Sequence, residues 1–250
     1  MYWDIWNTLS LSGRERICKF ALMKTSRIYH ELNLDIVTTE SGDVCYVLLP
    51  EKMKEADMDW LEELVQKYPV NIVVISGMNW NDMLSPWKAP ALTPKESDFK
   101  GKAKDFLANL LGDVFVNTEQ SLRLTHPKRH LVGISLAGLF ALWASTATSK
   151  FTSVASISGS FWYDGFTEWL KEQNLHAERY FLSLGDKESK AKNERLATVG
   201  TCSEAVLQII KDNDKEVTFV TDEGNHFEFF RERLEKALAA CLGVINEEAE

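Results

Sequence analysis

His130-Leu-Val-Gly-Ile-Ser135-Leu-Ala-Gly-Leu-Phe-Ala-Leu142 decides the reading of this 250-residue chain. The apolar run His130–Ile134 predicts a buried strand, and Leu136–Thr148 predicts a helix. Between them lies Gly133-x-Ser135-x-Ala137-Gly138. A hydroxyl nucleophile at the apex of a tight strand–turn–helix must project from a strained backbone. Small residues two before and two after it keep strand and helix from colliding. Such a serine sits at a helix N-terminus, where backbone N–H groups can hold developing negative charge. The competing reading is an ordinary helix N-cap after a buried strand; the other loops of the chain weigh against it.

Working outward, strand-like and helix-like segments alternate. Leu34–Thr39 and Val44–Leu49 flank the turn signal Ser41-Gly42-Asp43 and read as an antiparallel hairpin. Met53–Tyr68 places Met53, Ala56, Trp60, Leu64 and Tyr68 on one helical face. Asn71–Ser76 is a strand. Phe99–Leu111 is helical through Phe99, Ala103, Phe106, Leu107 and Leu110. Ser153–Ile157 is a strand, Glu168–Gln173 a helix and Tyr180–Leu184 a strand. A helix then carries Val199, Cys202, Val206 and Ile209 on one face. Glu216–Thr221 is a strand, and His226–Leu242 a last helix with Phe227, Phe230, Leu234, Leu238 and Cys241 inward. This pattern predicts a single α/β domain over residues 1–250: a mainly parallel sheet with an antiparallel edge hairpin and helices on both faces. Residues 1–33 stay unassigned, since Ile17–Leu22 reads equally as strand or helix.

In open parallel sheets, ligands bind beyond the carboxyl ends of the strands. Three further loops there carry chemistry. Gly185-Asp-Lys-Glu188 offers two acids, Asp186 and Glu188, either of which could orient an imidazole. Asp222-Glu-Gly-Asn-His226 offers a histidine able to reach back over the sheet edge. Residues 77–98 form a long aperiodic stretch with Trp80, Trp87, Pro86, Pro90 and Pro94, and such loops are usually functional. Met78, after the strand Asn71–Ser76, is the expected second oxyanion donor beside the Leu136 N–H. Ser158-Gly-Ser-Phe161-Trp162, leading into the loop of residues 159–176, adds an aromatic wall, so Trp80 and Trp162 are expected to line the substrate pocket.

Lys and Arg number 28 against 37 Asp and Glu, a net charge of −9. Without a basic stripe, this gives no pull toward phosphate backbones or anionic lipid, so neither nucleic acid nor membrane is an expected partner. No apolar run approaches a membrane span. Met1-Tyr-Trp-Asp-Ile-Trp6 lacks the pattern of a signal peptide, so a cytoplasmic location is expected. Cys18, Cys45, Cys202 and Cys241 are dispersed and read as core thiols. His126 and His130 flank Pro127 without an adjacent acid or thiol ligand. No metal site is expected.

Together, Gly133-Ile-Ser135-Leu-Ala-Gly138, Ser158-Gly-Ser-Phe-Trp162, Leu182-Ser-Leu-Gly-Asp-Lys-Glu188 and Glu223-Gly-Asn-His226-Phe resemble the esterase D-type family of α/β-hydrolases. The siderophore (trilactone) esterases are the most similar branch. The resemblance runs from about Val44 to Leu242. It implies an α/β-hydrolase fold and a serine esterase with Ser135 as nucleophile and His226 as base, the order serine, acid, histidine being that of the fold. It places the acid three residues after Gly185, at Glu188, whose extra methylene also extends its reach; Asp186 is the alternative. Siderophore-type relatives can also work with a Ser–His pair. Ala137 departs from the family's second elbow glycine, and the stretch before Val44 looks short and atypical beside the family, so part of the sheet edge is expected to be missing.

The expected activity is therefore hydrolysis of a small-molecule carboxylic ester through an acyl-enzyme on Ser135, without metal or organic cofactor. A thioesterase or acyltransferase would use the same parts. A non-catalytic binding module of the same fold is the alternative from another class, and labelling with a fluorophosphonate separates it from an enzyme.

Overall fold

In Cys45-Tyr46-Val47-Leu48, alternate side chains enter two separate apolar clusters: Tyr46 and Leu48 one, Cys45 and Val47 the other. Successive strand residues point to opposite faces, so a strand buried in both directions needs a cover on each side. The same split recurs in Ile72/Val74 against Val73/Ile75, and in Val132 against Leu131. A computed structural model describes residues 23–244. Its strands in chain order are β1 (Met23–Tyr29), β2 (Leu32–Thr38), β3 (Val44–Leu48), β4 (Asn71–Ser76), β5 (Lys88–Ala89), β6 (Phe99–Lys100), β7 (Arg129–Ile134), β8 (Ser153–Ile157), β9 (Arg179–Gly185) and β10 (Glu216–Asp222). Eight of them form one sheet in the order β1-β2-β4-β3-β7-β8-β9-β10, and β5 pairs with β6 in a small antiparallel ribbon. The six strands from β4 to β10 run parallel. β1 and β2 form the antiparallel edge.

The edge hairpin is thus β1–β2, not the pairing of Leu34–Thr39 with Val44–Leu49 that the turn signal suggested. β4 slots between β2 and β3. Asn71, at its start, accepts from Thr39 N at 2.9 Å and donates to Ser41 O and Asp43 O at 2.7 and 2.9 Å. The 39–43 turn therefore bridges the end of β4. A five-residue link is long enough to step over one strand, and local turn chemistry cannot tell the two cases apart. The sheet edge expected to be incomplete is present. Ile17–Leu22 lies outside the described residues.

Helices α1 (Glu55–Lys67), α2 (Trp80–Met83), α3 (Ala103–Asn109), α4 (Phe115–Ser121), α5 (Leu136–Ala147), α6 (Phe166–Leu170), α7 (Glu194–Ala197), α8 (Val199–Asp212) and α9 (Phe230–Cys241) complete the layers. A π-helical turn, Leu110–Val114, joins α3 to α4. α1 and α9 cover the Cys45/Val47 face; α3, α4, α5, α6 and α8 cover the other. α1 buries Met58, Leu61, Leu64 and Val65 and leaves Ala56 exposed, a rotation from the expected face. Phe99 belongs to β6 rather than to a helix, though it is buried. α9 starts at Phe230, so His226 and Phe227 lie in the preceding loop and Phe227 is 90 % exposed. Among the described residues no helix is long and apolar enough to cross a membrane.

Candidate active site

β7 delivers the chain to Ser135 with φ +57° and ψ −123°, and α5 begins at the next residue. A positive φ in a non-glycine residue is strained and is held here by its surroundings. Ser135 N donates to Ile157 O at 2.9 Å, and Ser135 O accepts from Gly138 N and Ser160 N, each at 3.0 Å. A Cβ on Gly133 would lie 2.1 Å from Ala137 O, so only glycine fits there. A Cβ on Gly138 would lie 2.5 Å from Ser156 Oγ. The Ala137 methyl, by contrast, is buried without conflict.

The Leu136 N–H opens α5 beside Ser135 and has no hydrogen-bond acceptor among the described residues. Met78, the other expected oxyanion donor, leaves β4, is buried, and lines neither of the clefts at Ser135. The strand next to β7 is β3, and the loop leaving β3, Leu49–Lys54, lines one of those clefts. In that loop Leu49 N bonds Ile75 O and Met53 N bonds Asp35, and proline at 50 has no N–H. Among the described residues the N–H groups of Glu51 and Lys52, and that of Lys54 at the mouth of α1, remain without an acceptor. Met78 follows β4, which β3 separates from the nucleophile strand β7.

β9 ends at Gly185 and a 3₁₀ turn, Glu188–Lys190, brings Glu188 back beneath the sheet edge. Its Oε2 accepts from His226 Nδ1 at 2.7 Å. Its Oε1 accepts from Gly185 N at 2.7 Å, Ser158 Oγ at 2.6 Å and Arg233 Nη1 at 3.2 Å. Burial pushes the Glu188 carboxyl up, but the hydrogen bonds from His226, Ser158 and Gly185 outweigh it and hold its pKa below the usual carboxylate value. Asp186 is exposed and turned elsewhere: its Oδ1 accepts from Gly224 N at 2.8 Å. Glu228 accepts from Asn225 N at 2.7 Å, so the loop before His226 is braced by carboxylates on both sides. Ser135 Oγ and His226 share the site without a direct hydrogen bond among the described residues; the recorded partner of Ser135 Oγ is Ser160 Oγ, at 3.4 Å.

Two clefts meet here, and Ser135, His226 and Phe227 border both. One, of about 510 Å³, is lined by Trp162, Leu92, Leu196, Val199, Lys187 and Lys190. The other, of about 440 Å³, is lined by Trp80, Pro50, Met53, Ile134, Phe230 and Lys52. Trp162 and Trp80, both expected at the pocket, thus fall on opposite sides of the serine. Trp87 instead packs against Tyr163, Phe166 and Trp169, and the large side chains Phe161, Tyr163, Phe166 and Leu170 of the 159–176 stretch are buried in the core.

The sequence reading missed Ser158, Ser160 and Arg233. Ser158 was seen only as part of an aromatic wall, and its φ of +49° is invisible in sequence. Arg233 had a signal, a charged residue in phase with the inward positions Phe230, Leu234 and Leu238 of the last helix. His130 is buried, with Nδ1 2.7 Å from Ser153 Oγ. Burial holds the Cys45 and Cys241 thiols well up, the latter at about 11, which keeps them protonated and unreactive. Cys18 lies outside the described residues.

With the geometry in hand, the chain can be set against known proteins. It is 25% identical over 221 residues to the "Uncharacterized protein YbbA" of Bacillus subtilis (strain 168), covering 82% of this chain and 88% of that one. The "Siderophore hydrolase EstA from Aspergillus nidulans" superposes with a TM-score of 0.64 at 16% identity, over 96% of this chain and 100% of that one. The structure titled "Enterobactin and Salmochelin Hydrolase IroE" gives 0.63 at 20% identity, over 89% and 95%. At these identities the structural likeness establishes the α/β-hydrolase fold. Residues 54–241 match the esterase family described as "Putative esterase", and the chain belongs to that family of ester hydrolases.

Proposed function

We propose that the chain hydrolyses a carboxylic ester through an acyl-enzyme on Ser135. The observation that carries this reading is the 2.7 Å contact of His226 Nδ1 with the buried Glu188, in the same cleft as the strained Ser135. With its Nδ1 proton on Glu188, the imidazole presents the Nε2 lone pair as general base. Substrate binding closes the gap between Ser135 and His226, as catalytic hydrogen bonds commonly tighten only in the complex. Ser135 Oγ then attacks the ester carbonyl and its proton passes to Nε2. The tetrahedral oxyanion is held by the Leu136 N–H and an N–H from Glu51 or Lys52. Collapse expels the alcohol, which takes the proton from Nε2, and water resolves the acyl-enzyme by the same path in reverse. Each step uses side chains and backbone of the chain itself.

The two clefts flanking Ser135 provide separate room for the acyl and alcohol parts of a bulky ester. The siderophore hydrolases among the structural neighbours support a substrate of that kind. The test uses a fluorophosphonate and short p-nitrophenyl esters. The reagent is expected to modify Ser135 stoichiometrically, and Ser135→Ala to lower kcat/KM by roughly 10⁴–10⁶-fold while melting as the parent does. An adduct on another residue with Ser135 unmodified overturns the proposal.

A further inference from the structure

Arg233 is a large, fully buried side chain, 1 % exposed on the inner side of α9, and no step above uses it. A buried guanidinium is costly unless its donors are satisfied and its charge is paired. Here Nη1 donates to Ser158 Oγ at 2.9 Å and to Glu188 Oε1 at 3.2 Å. Nη2 donates to Glu223 O at 3.0 Å and Asn225 O at 3.1 Å, and Nε faces Asp222 Oδ2 at 3.6 Å. One rigid fork therefore touches the rear of the Glu188 carboxylate and the backbone of the loop that carries His226.

We propose that Arg233 is a positioning residue for the hydrolytic site, locking the Glu188 carboxylate and the His226 loop into one register. The inference rests on the reading of Ser135, His226 and Glu188 given above. Neutralising Asp222 does not require Arg233, because Lys236 Nζ already lies 2.7 Å from Asp222 Oδ1. The bonds of Asp186 and Lys187 to Gly224 tie the two turns together, but Arg233 is the side chain that touches both the Glu188 carboxylate and the carbonyls of the His226 loop. With Oε1 taken by Arg233, Ser158 and Gly185, only Oε2 is left for the imidazole, which fixes its tautomer and tilt. A lysine ends in a single nitrogen and cannot span both the carboxylate and the two carbonyls.

The cation also faces the carboxylates that surround His226. Glu188 and Asp222 contact Arg233. Beyond them lie His226 on Glu188, Lys236 on Asp222, and Asp186 and Glu228, which bond the loop backbone at Gly224 and Asn225. Glu223 and Lys187 flank the same turns. Removing the Arg233 charge leaves Glu188 and Asp222 less compensated, so an imidazolium at position 226 is stabilised and the base is lost to protonation at higher pH.

The experiment measures kcat and KM for a p-nitrophenyl ester against pH in Arg233→Met and Arg233→Lys. Arg233→Met is expected to lower kcat about 10–100-fold with KM little changed, and to move the acid limb of kcat/KM up by about half a unit or more. Arg233→Lys is expected to restore the acid limb to that of the parent while leaving kcat about 10-fold low, because charge returns and the fork does not. A wild-type acid limb in a folded Arg233→Met, or a loss carried by KM alone, overturns the proposal. If Arg233→Met shows no cooperative melt, the lysine variant decides: parental kcat overturns the inference, and a low kcat with a parental limb upholds it. Fluorophosphonate labelling of the parent at Ser135 separates this outcome from failure of the hydrolase reading, which would leave Ser135 unlabelled.

Discussion

Glu188 and Asp186 stand on one turn, yet only Glu188 faces the imidazole, while Asp186 accepts from the Gly224 N–H. Removing a triad acid leaves the imidazole free to take the wrong tautomer, a loss of about 10⁴-fold in one well-studied protease. Glu188→Gln is therefore expected to lower kcat by about 10³–10⁴-fold. Asp186→Asn keeps a carbonyl oxygen for Gly224 and is expected to stay within a few-fold of the parent. Steady-state kinetics on the two variants check the ranking; the reverse order would move the acid to Asp186, and near-parental rates in both would point to a Ser–His pair. The Glu188 carboxyl is held below its ordinary pKa despite burial. It thus contributes stability above the unfolded carboxyl range, and that contribution is lost as pH falls through the folded value. At this scale the sequence was legible for Ser135 and His226, whose loops announce themselves. It offered two acids because reach across a turn is a three-dimensional quantity.

The strand–serine–helix element stands on the contact between Gly133 and the Ala137 carbonyl. Gly133→Ala forces a Cβ into backbone atoms of α5 and is expected to cost about 3 kcal/mol or more and to displace Ser135. Ala137→Gly removes only a helix-favouring methyl and is expected to cost about 1 kcal/mol with activity retained. Denaturant midpoints and ester turnover of the two variants check this contrast. The loops on either side of the elbow border separate clefts: Trp162 lines one, with the Arg195 guanidinium 5.4 Å from its ring, and Trp80 lines the other. Trp162→Ala and Trp80→Ala are expected to shift relative kcat/KM along different axes, one following acyl size and the other alcohol size. A matrix of esters varied on each side checks this; equal losses for every ester would make both tryptophans mere packing. Strands β4, β7, β8, β9 and β10 were legible because apolar runs bounded by Gly or polar turns leave little choice. β1 and the order of β2, β3 and β4 were not, because pairing partners are set across the sheet.

At the scale of the molecule, two helical layers seal the sheet, and a few polar groups are enclosed with it. His130 is one of these: burial, aided by Arg179 and Lys128, holds its pKa down at about 4, against 6.5 for a free imidazole. The unfolded chain therefore binds this proton more readily than the native one, so the contribution is complete above pH 6.5 and is lost as pH falls toward 4. Between pH 7 and pH 5 the loss is about 2 kcal/mol. Urea midpoints at the two values are expected to differ accordingly in the parent. They should differ less in His130→Phe; an unchanged pH dependence in that variant would show that other groups carry it.

Alternation of apolar strands with amphipathic helices determined a mainly parallel, doubly covered sheet, because side-chain periodicity is a local property of the backbone. The serine, the histidine and the glycine that lets the serine stand at its turn were likewise local, each placed by its distance from a strand end. Tertiary structure alone decided which strand lies beside β7. It thereby put the loop after β3, rather than Met78, on a cleft at Ser135, set Trp80 and Trp162 in separate clefts, and brought Arg233 from the last helix to the back of Glu188. Those are meetings of residues far apart in the chain. They depend on strand order and helix phase, which a sequence constrains only through the sum of all its contacts.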